Sequence, residues 1–338
     1  MLRHIANRVV LMTVTLIGVA TITFFLSRVL PGSPVALMVG YHPTQEAIDA
    51  AVRELGLDRP LSEQYVRFVT DAVRGDFGMS LHTKQPVIED IAERSTATIE
   101  LTTLAVVLVM LVGVPIGVIS AVRSNTLVDH VVRTVSIAGV ALPVFMAALL
   151  LQMCFYGWLG WLPLQGRLSS EVLLDSHFER VTGLFLVDTL LAGDGAAFKD
   201  AALHLLLPVT TLTLATLPMV TRITRNMMME VLNEEYVRTA FAYGIAKRDV
   251  YYRYALRATL IPLLTVVGLT YGFLLGGSVV VEFVFDWPGL GGYVVRSITR
   301  NDFPAAVGVT LVLATAYLTI NLVVDLLYHV IDPRLRPS

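Results

Sequence analysis

The stretch Leu101–Val122, LTTLAVVLVMLVGVPIGVISAV, runs for 22 residues without an Asp, Glu, Lys or Arg. A helix needs about 20 predominantly apolar residues to cross the hydrocarbon core of a bilayer, so this stretch is long enough to span one. Five further charge-free stretches of 19 to 33 residues occur along the chain: Val9–Ser27, Thr134–Gly166, Ala201–Thr221, Ala258–Val281 and Phe303–Val324. The sequence therefore predicts an all-α polytopic membrane protein with six transmembrane helices.

The charges are confined to the segments between these stretches. Only 15% of the 338 residues are charged, and all 52 charges fall in 197 residues, where they make up 26%. That local density is close to the roughly 25% of an ordinary soluble domain. The first stretch, with 19 residues, is longer than the usual apolar region of a cleavable signal peptide. We therefore expect it to be retained as a membrane span.

The distribution of arginines predicts the orientation. Six spans place both termini on one side of the membrane, and basic residues near short loops mark the cytoplasmic side. Arg3 and Arg8 precede the first stretch, Arg123 and Arg133 flank the turn after the second, and Arg334 follows the sixth. Both termini are expected to be cytoplasmic.

Several classes of protein are excluded by what the sequence lacks. None of the three lysines, Lys84, Lys199 and Lys247, follows a glycine, so there is no Walker A loop to bind ATP. No His-Glu pair occurs, and the seven histidines have no metal-ligand spacing. The net charge of −2 argues against nucleic acid as a partner. We expect a non-catalytic protein with no metal site and no cofactor of its own.

The sequence divides into three segments. Residues 1–30 hold the N-terminus and the first span, residues 31–98 a helical extracytoplasmic cap, and residues 99–338 a five-helix core. In the cap, apolar residues at helical spacing predict one helix ending at Gly56 and a second running from Pro60 to just before Gly75. The cap either seals the ends of the membrane helices or serves as a docking platform for a partner outside the cell.

The longest inner loop, residues 222–257, is amphipathic. Glu234–Gly244, EEYVRTAFAYG, predicts a helix stopped by a glycine, and Arg248–Arg257 predicts a second, basic helix that runs into the fifth span at Pro262. Such a helix–glycine–helix segment is suited to docking into another protein. The alternative is a helical connector lying flat on anionic lipid.

This loop resembles the EAA loop of binding-protein-dependent ABC importer permeases. Glu235-Tyr-Val-Arg-Thr-Ala-x-Ala-x-Gly244 is similar to the version in the dipeptide/oligopeptide/nickel branch. Where the general pattern has Leu-Pro this chain has Leu256-Arg257, and its proline comes later as Pro262. Other motifs in the family's order are Leu30-Pro-Gly-Ser-Pro34, in which Ser33 replaces the usual Asp, Gly75-Asp-Phe-Gly-x-Ser80, Thr182–Asp194, Val284–Gly291, Asn321-Leu-x-x-Asp325 and Asp332-Pro-Arg334.

The resemblance implies a type I ABC importer transmembrane domain, of the B-type subunit, in a bacterial plasma membrane. It implies a second homologous permease subunit, two ATPase subunits or one fused ATPase, and an extracytoplasmic solute-binding protein as partners. ATP and Mg would bind to the ATPases. The expected cargo is dipeptides or oligopeptides, with nickel, haem or another small solute as the alternative. The residues expected to couple to the ATPase are Glu235, Tyr236, Arg238, Thr239, Ala240, Ala242 and Gly244.

Few groups within the spans are candidates for the translocation path. Gly272, Gly276 and Gly277 in the fifth span allow close helix approach at a pore, although ordinary tight packing explains them equally well. Gln152 and Asn321 are polar intramembrane candidates, for which interhelical hydrogen bonding is the default role, and Glu282 is positioned to contact a substrate amine. An ion-coupled carrier, the rival from another class, would need a carboxylate near the midplane of the bilayer, and the charge-free stretches contain none.

Overall fold

The computed structural model describes residues 2–29, 44–54, 56–175 and 178–331, and within them the protein is all-helical apart from an isolated bridge between Met79 and Pro86. The motifs at 30–34 and 332–334 lie outside these residues. The helices are α1 (Leu2–Val29), α2 (Gln45–Glu54), α3 (Leu61–Val73), α4 (Val87–Val122), α5 (Leu127–Ala141), α6 (Val144–Leu151), α7 (Ser170–Asp175), α8 (Phe185–Leu191), α9 (Gly195–Leu232), α10 (Glu235–Ala242), α11 (Lys247–Asp249), α12 (Leu256–Val284), α13 (Leu290–Thr299) and α14 (Phe303–Ile331). Two π-helical segments continue them, π1 (Gln152–Trp158) after α6 and π2 (Val250–Ala255) between α11 and α12.

Five helices in the described residues are long and apolar enough to cross a membrane. They are Ala6–Ser27, Val87–Val122, Gly195–Leu232, Pro262–Val284 and Phe303–Leu327. Each contains one of the predicted charge-free stretches or most of it. The all-α membrane fold predicted from the sequence is confirmed.

The third predicted span differs from the expectation, because it is a broken pair rather than one helix. Leu127–Gly139 and Val144–Trp158 meet at a bend of 100°. The cause is Pro143: the ring of a proline disfavours helical geometry at the preceding residue, and Leu142 is extended, with φ −84° and ψ 116°. The pair counts as a sixth span only if both arms are taken together.

The other prolines do not interrupt their helices. Pro115 lies inside α4, Pro262 inside α12, and both Pro208 and Pro218 lie inside α9, which runs for 38 residues. Even the two prolines of the fourth span are accommodated in one unbroken helix.

The described chain forms two compact units. One combines Met1–Thr98 with Pro288–Leu318, and the other combines Ile99–Trp287 with Thr319–Ser338. The first therefore contains the predicted N-terminal span and cap together with a segment from late in the sequence.

In the first unit, the two cap helices form where the sequence predicts them. Gly56 and Gly75, which follow their C-terminal ends, have positive φ angles of 63° and 79°. Helix α3 packs on α1, since the Phe24 ring lies 5.4 Å from that of Tyr65 and 5.5 Å from that of Phe68.

A polar network fastens the loop between the cap and α4 in the same unit. Ser80 Oγ donates to Asp302 Oδ2 at 2.5 Å, and the backbone N–H of His82 donates to the same oxygen at 3.2 Å. Tyr293 donates its hydroxyl to Asp90 Oδ2 at 2.7 Å. The Gly75–Ser80 motif thus has a structural role, holding its loop to the start of α14.

In the second unit, α9 packs against α5, α6, α8 and α12. It also approaches α4 closely at a glycine: a Cβ placed on Gly117 would lie 2.7 Å from Thr224 Cβ. That distance is below van der Waals contact, so only glycine fits there without a shift of the neighbouring helix.

A buried ion pair joins α4 to the loop that follows π1 in the second unit. Arg167 donates to Glu100, and its guanidinium stacks 3.6 Å from the centre of the Phe185 ring. Glu100 also accepts from the backbone N–H of Leu186 at 2.9 Å. Burial lowers the pKa of Arg167, and the Glu100 carboxylate opposes that shift. Glu100 is therefore a structural carboxylate.

Candidate functional site: an exposed helix–glycine–helix segment

The segment from Glu234 to Ala255, the coupling segment below, begins two residues after α9 ends. Glu234 is the extended residue before α10, and its carbonyl accepts the backbone N–H groups of Val237 at 3.1 Å and Arg238 at 3.2 Å. Inside the helix, Thr239 Oγ1 donates to the carbonyl of Glu235 at 2.9 Å. The helix predicted from the sequence is present, and it is eight residues long.

Helix α10 ends in a Schellman motif that requires Gly244. The N–H of Gly244 donates to the Phe241 carbonyl at 3.0 Å, and the N–H of Ile245 donates to the Ala240 carbonyl at 3.2 Å. Gly244 has a φ of +76°, and no heavy atom lies within 4 Å of the place a Cβ would occupy. The glycine is therefore needed for its backbone conformation, not for lack of space.

The inner face of α10 is apolar and holds the segment to the protein. Val237 and Ala240 lie in a cluster with Val250, and Ile245 packs against the same cluster. Ala240, which the sequence analysis assigns to ATPase contact, is only 5% exposed. Its side chain anchors the helix from within.

The outer face of α10 presents the remaining predicted residues to solvent. Those with exposed positions are Glu235, Tyr236, Arg238, Thr239, Ala242 and Gly244. Two further exposed residues were not predicted from the sequence: Tyr243, which is 83% exposed, and Phe241, which is 37% exposed. The sequence signal that could have identified Tyr243 was its position directly before Gly244, the glycine that ends the helix. The surface combines three aromatic rings with charges of both signs.

Tyr236 is a protonated hydrogen-bond donor on this face. Partial burial raises the pKa of its phenol, and the nearby Glu234 carboxylate raises it further. Because the ordinary value is already near 10, the hydroxyl stays neutral throughout the physiological range.

The second arm of the segment leads directly into a membrane span. Helix α11 begins after Ala246, and the chain remains helical through π2 into α12. Val250 and Ala255, the two ends of π2, are both fully buried. Val250 lies in the cluster with α10, whereas Ala255 lies in a different cluster with Val118 and Met228.

A buried ion pair fixes the helices that carry the segment. Arg225 on α9 pairs with Asp129 on α5, whose side chain is completely buried. Asp129 also accepts from Ser120 Oγ at 2.6 Å and from the backbone N–H of Asn125 at 3.0 Å. Every acceptor direction of the carboxylate is used, so α4, α5 and α9 meet at one point. The pair was not predicted from the sequence, because its members lie far apart along the chain.

The predicted pore candidates occupy different environments. Gln152 is buried, and its Nε2 donates to the carbonyls of Leu164 at 3.1 Å and Val284 at 3.3 Å. It therefore has the default role of joining structural elements. Asn321 is half-buried, and Glu282 is fully buried. In this conformation Glu282 lies in the interior of the subunit, where it does not meet the solvent from which a substrate amine would arrive.

The glycines of α12 are of two kinds. Gly268 is a close-packing residue, since a Cβ there would lie 2.4 Å from Val324 Cγ2. Gly276 is exposed and has nothing within 4 Å of a Cβ position, and Gly277 meets only the Phe273 ring at 3.9 Å. Gly272 is buried. Gly276 is thus open on the face of α12 that this chain leaves uncovered.

Comparison with known proteins identifies two matching family models. One, described as a binding-protein-dependent transport system inner membrane component, matches residues 113–337, and its N-terminal counterpart matches residues 1–102. The chain is 44% identical over 318 residues to the probable D,D-dipeptide transport system permease protein DdpB of Escherichia coli, covering 94% of this chain and 93% of that protein. It is 42% identical over 337 residues to the di/tripeptide transport system permease protein DppB of Pseudomonas aeruginosa, covering 99% of each. It is also 35% identical over 336 residues to the glutathione transport system permease protein GsiC of Salmonella paratyphi A, covering 99% of each.

Proposed function

The chain belongs to the family of binding-protein-dependent transport system inner membrane components, and from this premise we propose that it carries short peptides through the bacterial inner membrane. It is a multi-pass permease subunit of an ABC importer. The relatives described above are named as dipeptide, di/tripeptide and glutathione permeases. They favour a peptide over the nickel or haem alternative, and family membership favours an importer over an ion-coupled carrier.

We propose that transport by this chain requires several partner subunits. Since it has no Walker A loop, ATP and Mg bind to two ATPase subunits or to one fused ATPase. A second, homologous permease completes the path, and an extracytoplasmic binding protein delivers the peptide. Closure of the ATPases drives the permease pair from an inward-open to an outward-open state.

The coupling segment is the part of this chain that receives the ATPase. The observation that carries this assignment is the division of α10 into two faces: Val237 and Ala240 are buried inside the protein, whereas Glu235, Arg238 and Thr239 point outward. A helix held this way moves with its support. A displacement of α10 is transmitted to α12 through Val250, and to α9 through the short connection at Asn233 and Glu234.

The lipid-surface alternative for this segment is less well supported. A helix lying flat on a membrane presents its apolar face to the lipid. Here that face is covered by Val250 and Ile245 of the same chain, and the free face is charged.

Cysteine crosslinking tests the docking proposal. In a Cys154→Ser background, Ala242→Cys on the exposed face should crosslink to the ATPase within the assembled transporter. Thr126→Cys is the matched control, because it is exposed in the short turn between α4 and α5 and is expected on the same side of the membrane. Equal crosslinking of the two positions, or none from Ala242→Cys, would contradict the proposal.

A further inference from the structure

A groove between α5 and α9 has a basic end and an apolar end. Its basic end is a cavity of about 350 Å³ and its apolar end a cavity of about 330 Å³. The two cavities share Val132, Ser136, Pro218 and Thr221 in their walls. They are therefore one continuous depression in the surface of the second unit.

The basic end carries two positive charges that no described residue balances. Arg133, Arg222 and Arg225 line it, together with Asn226. The charge of Arg225 is compensated by Asp129. Arg133 and Arg222 are exposed, and neither forms an ion pair or hydrogen bond with another described residue. No described residue in the walls of the two cavities is acidic.

The apolar end is lined almost entirely by hydrocarbon. Its walls include Val135, Leu142, Ala147, Leu214 and Leu217. This end lies along the charge-free parts of α5 and α9. A chain of methylene groups bound there would contact apolar side chains and would not displace a polar contact.

The positions of the two arginines in the sequence indicate where the groove lies relative to the bilayer. Arg133 immediately precedes the charge-free stretch Thr134–Gly166, and Arg222 immediately follows the charge-free stretch Ala201–Thr221. Both therefore lie at one boundary of the hydrocarbon region. The apolar end extends from them into that region.

We propose that this groove binds an anionic phospholipid, with the phosphate at Arg133 and Arg222 and an acyl chain along the apolar end. Guanidinium groups bind phosphate oxygens through charge-assisted hydrogen bonds. Basic residues near a membrane surface attract anionic lipids. A membrane-spanning protein segment would have to bring a carboxylate to this depth at a cost, whereas a phospholipid carries its phosphate there already. The bound lipid bridges α5 and α9 beside the Asp129–Arg225 pair.

The test is native mass spectrometry of the assembled transporter with added dioleoyl phosphatidylglycerol, and with phosphatidylcholine for comparison. In Arg133→Gln/Arg222→Gln, one tightly bound phosphatidylglycerol should be lost, with its affinity reduced about tenfold or more, as expected from two basic residues near a lipid headgroup. Arg123→Gln/Arg257→Gln removes the same charge from exposed positions outside the groove, and it should keep that lipid.

A second variant tests the acyl chain. Ala215→Phe fills the apolar end and should also release the lipid, and free inorganic phosphate should not displace it. An unchanged number of bound lipids in the arginine variant would overturn the proposal. That is the result expected if another subunit covers the groove. Equal losses in both arginine variants would also overturn the proposal. Loss in the arginine variant with full lipid binding in Ala215→Phe would show that the acyl chain does not occupy the apolar end, and displacement of the lipid by inorganic phosphate would show that the arginines bind a soluble anion equally well. Either result would overturn the proposal.

Discussion

Arg225 and Asp129 form a bidentate ion pair, with Nε 2.6 Å from Oδ1 and Nη2 2.8 Å from Oδ2. The pair joins the first turn of α5 to the last third of α9, the helix that leads into the coupling segment. Because both charges are largely withdrawn from solvent, each depends on the other for its compensation. The pair thus fixes the helix from which the coupling segment extends.

Breaking this pair from one side should destabilise the subunit strongly. Asp129→Asn or Arg225→Gln leaves one buried charge without its partner, which costs about 3–5 kcal/mol. The double variant Asp129→Asn/Arg225→Gln should lose less than the sum of the two singles, since no charge is stranded. Thermal unfolding of the purified transporter measures all three, and additive losses would contradict the pairing.

Substitution of Gly244 should impair coupling and leave assembly intact. The positive φ makes Gly244→Ala cost about 1 kcal/mol, because nothing nearby clashes with a Cβ. Gly244→Asp adds a negative charge to the outer face and should abolish substrate-stimulated ATPase activity in the assembled complex. Gly276→Ala, at an open helical glycine, is the control. Normal stimulation in Gly244→Asp would refute the role of this turn.

The orientation of the cap is checked by labelling with an impermeant maleimide in a Cys154→Ser background. Val66 on α3 is 63% exposed and suits the probe. Val66→Cys should react in intact cells, and Thr126→Cys only after permeabilisation. The reverse pattern would place the termini outside.

Alanine at Gln152 should affect stability more than selectivity. Its amide serves two carbonyl groups, and a hydrogen bond contributes about 0.5–1.5 kcal/mol net, so Gln152→Ala is expected to cost about 1–3 kcal/mol. Asn321→Ala should change the transport rate a few-fold. Neither should alter the preference between two unrelated peptides, which transport assays measure. A switched preference in either variant would establish a selective site in this chain.

The two kinds of glycine in α12 should respond differently to the same change. Gly268→Ala drives a methyl group into Val324, and overpacking of this kind costs about 1–3 kcal/mol. Gly276→Ala should leave the stability of the subunit unchanged. Gly276→Leu tests whether the open face of α12 meets the second permease, because it should then weaken assembly measured by co-purification.

The sequence predicted the helices well because a bilayer imposes a simple length and polarity requirement. It predicted the end of α10 for an equally local reason, since one glycine produces the turn. The break at Pro143 also had a local signal, which is the proline itself. The charge-free stretch around it, however, predicted one continuous helix. The buried face of α10 was not predicted, because Ala240 was assigned to ATPase contact although it lies one helical turn from the apolar Val237.

Contacts between distant residues could not be predicted in the same way. Glu100 lies 67 residues before Arg167, and Asp129 lies 96 residues before Arg225. Nothing in the composition around either carboxylate identifies its partner. Each pair depends on how the helices pack, which is decided by many small apolar contacts at once.

The π-helical segment π2, between α11 and α12, determines how α12 is rotated about its own axis. Val250 and Ala255 are five positions apart, which in an α-helix places side chains about 140° from each other around the axis. The wider i→i+5 turn lets each reach its own buried neighbours. Substitutions along α12 can therefore change its packing one residue at a time without disturbing α10. Adding or removing a single residue between 250 and 255 would instead rotate every side chain of α12 together, so the number of residues in this turn determines which face of α12 is buried in the subunit and which is left exposed.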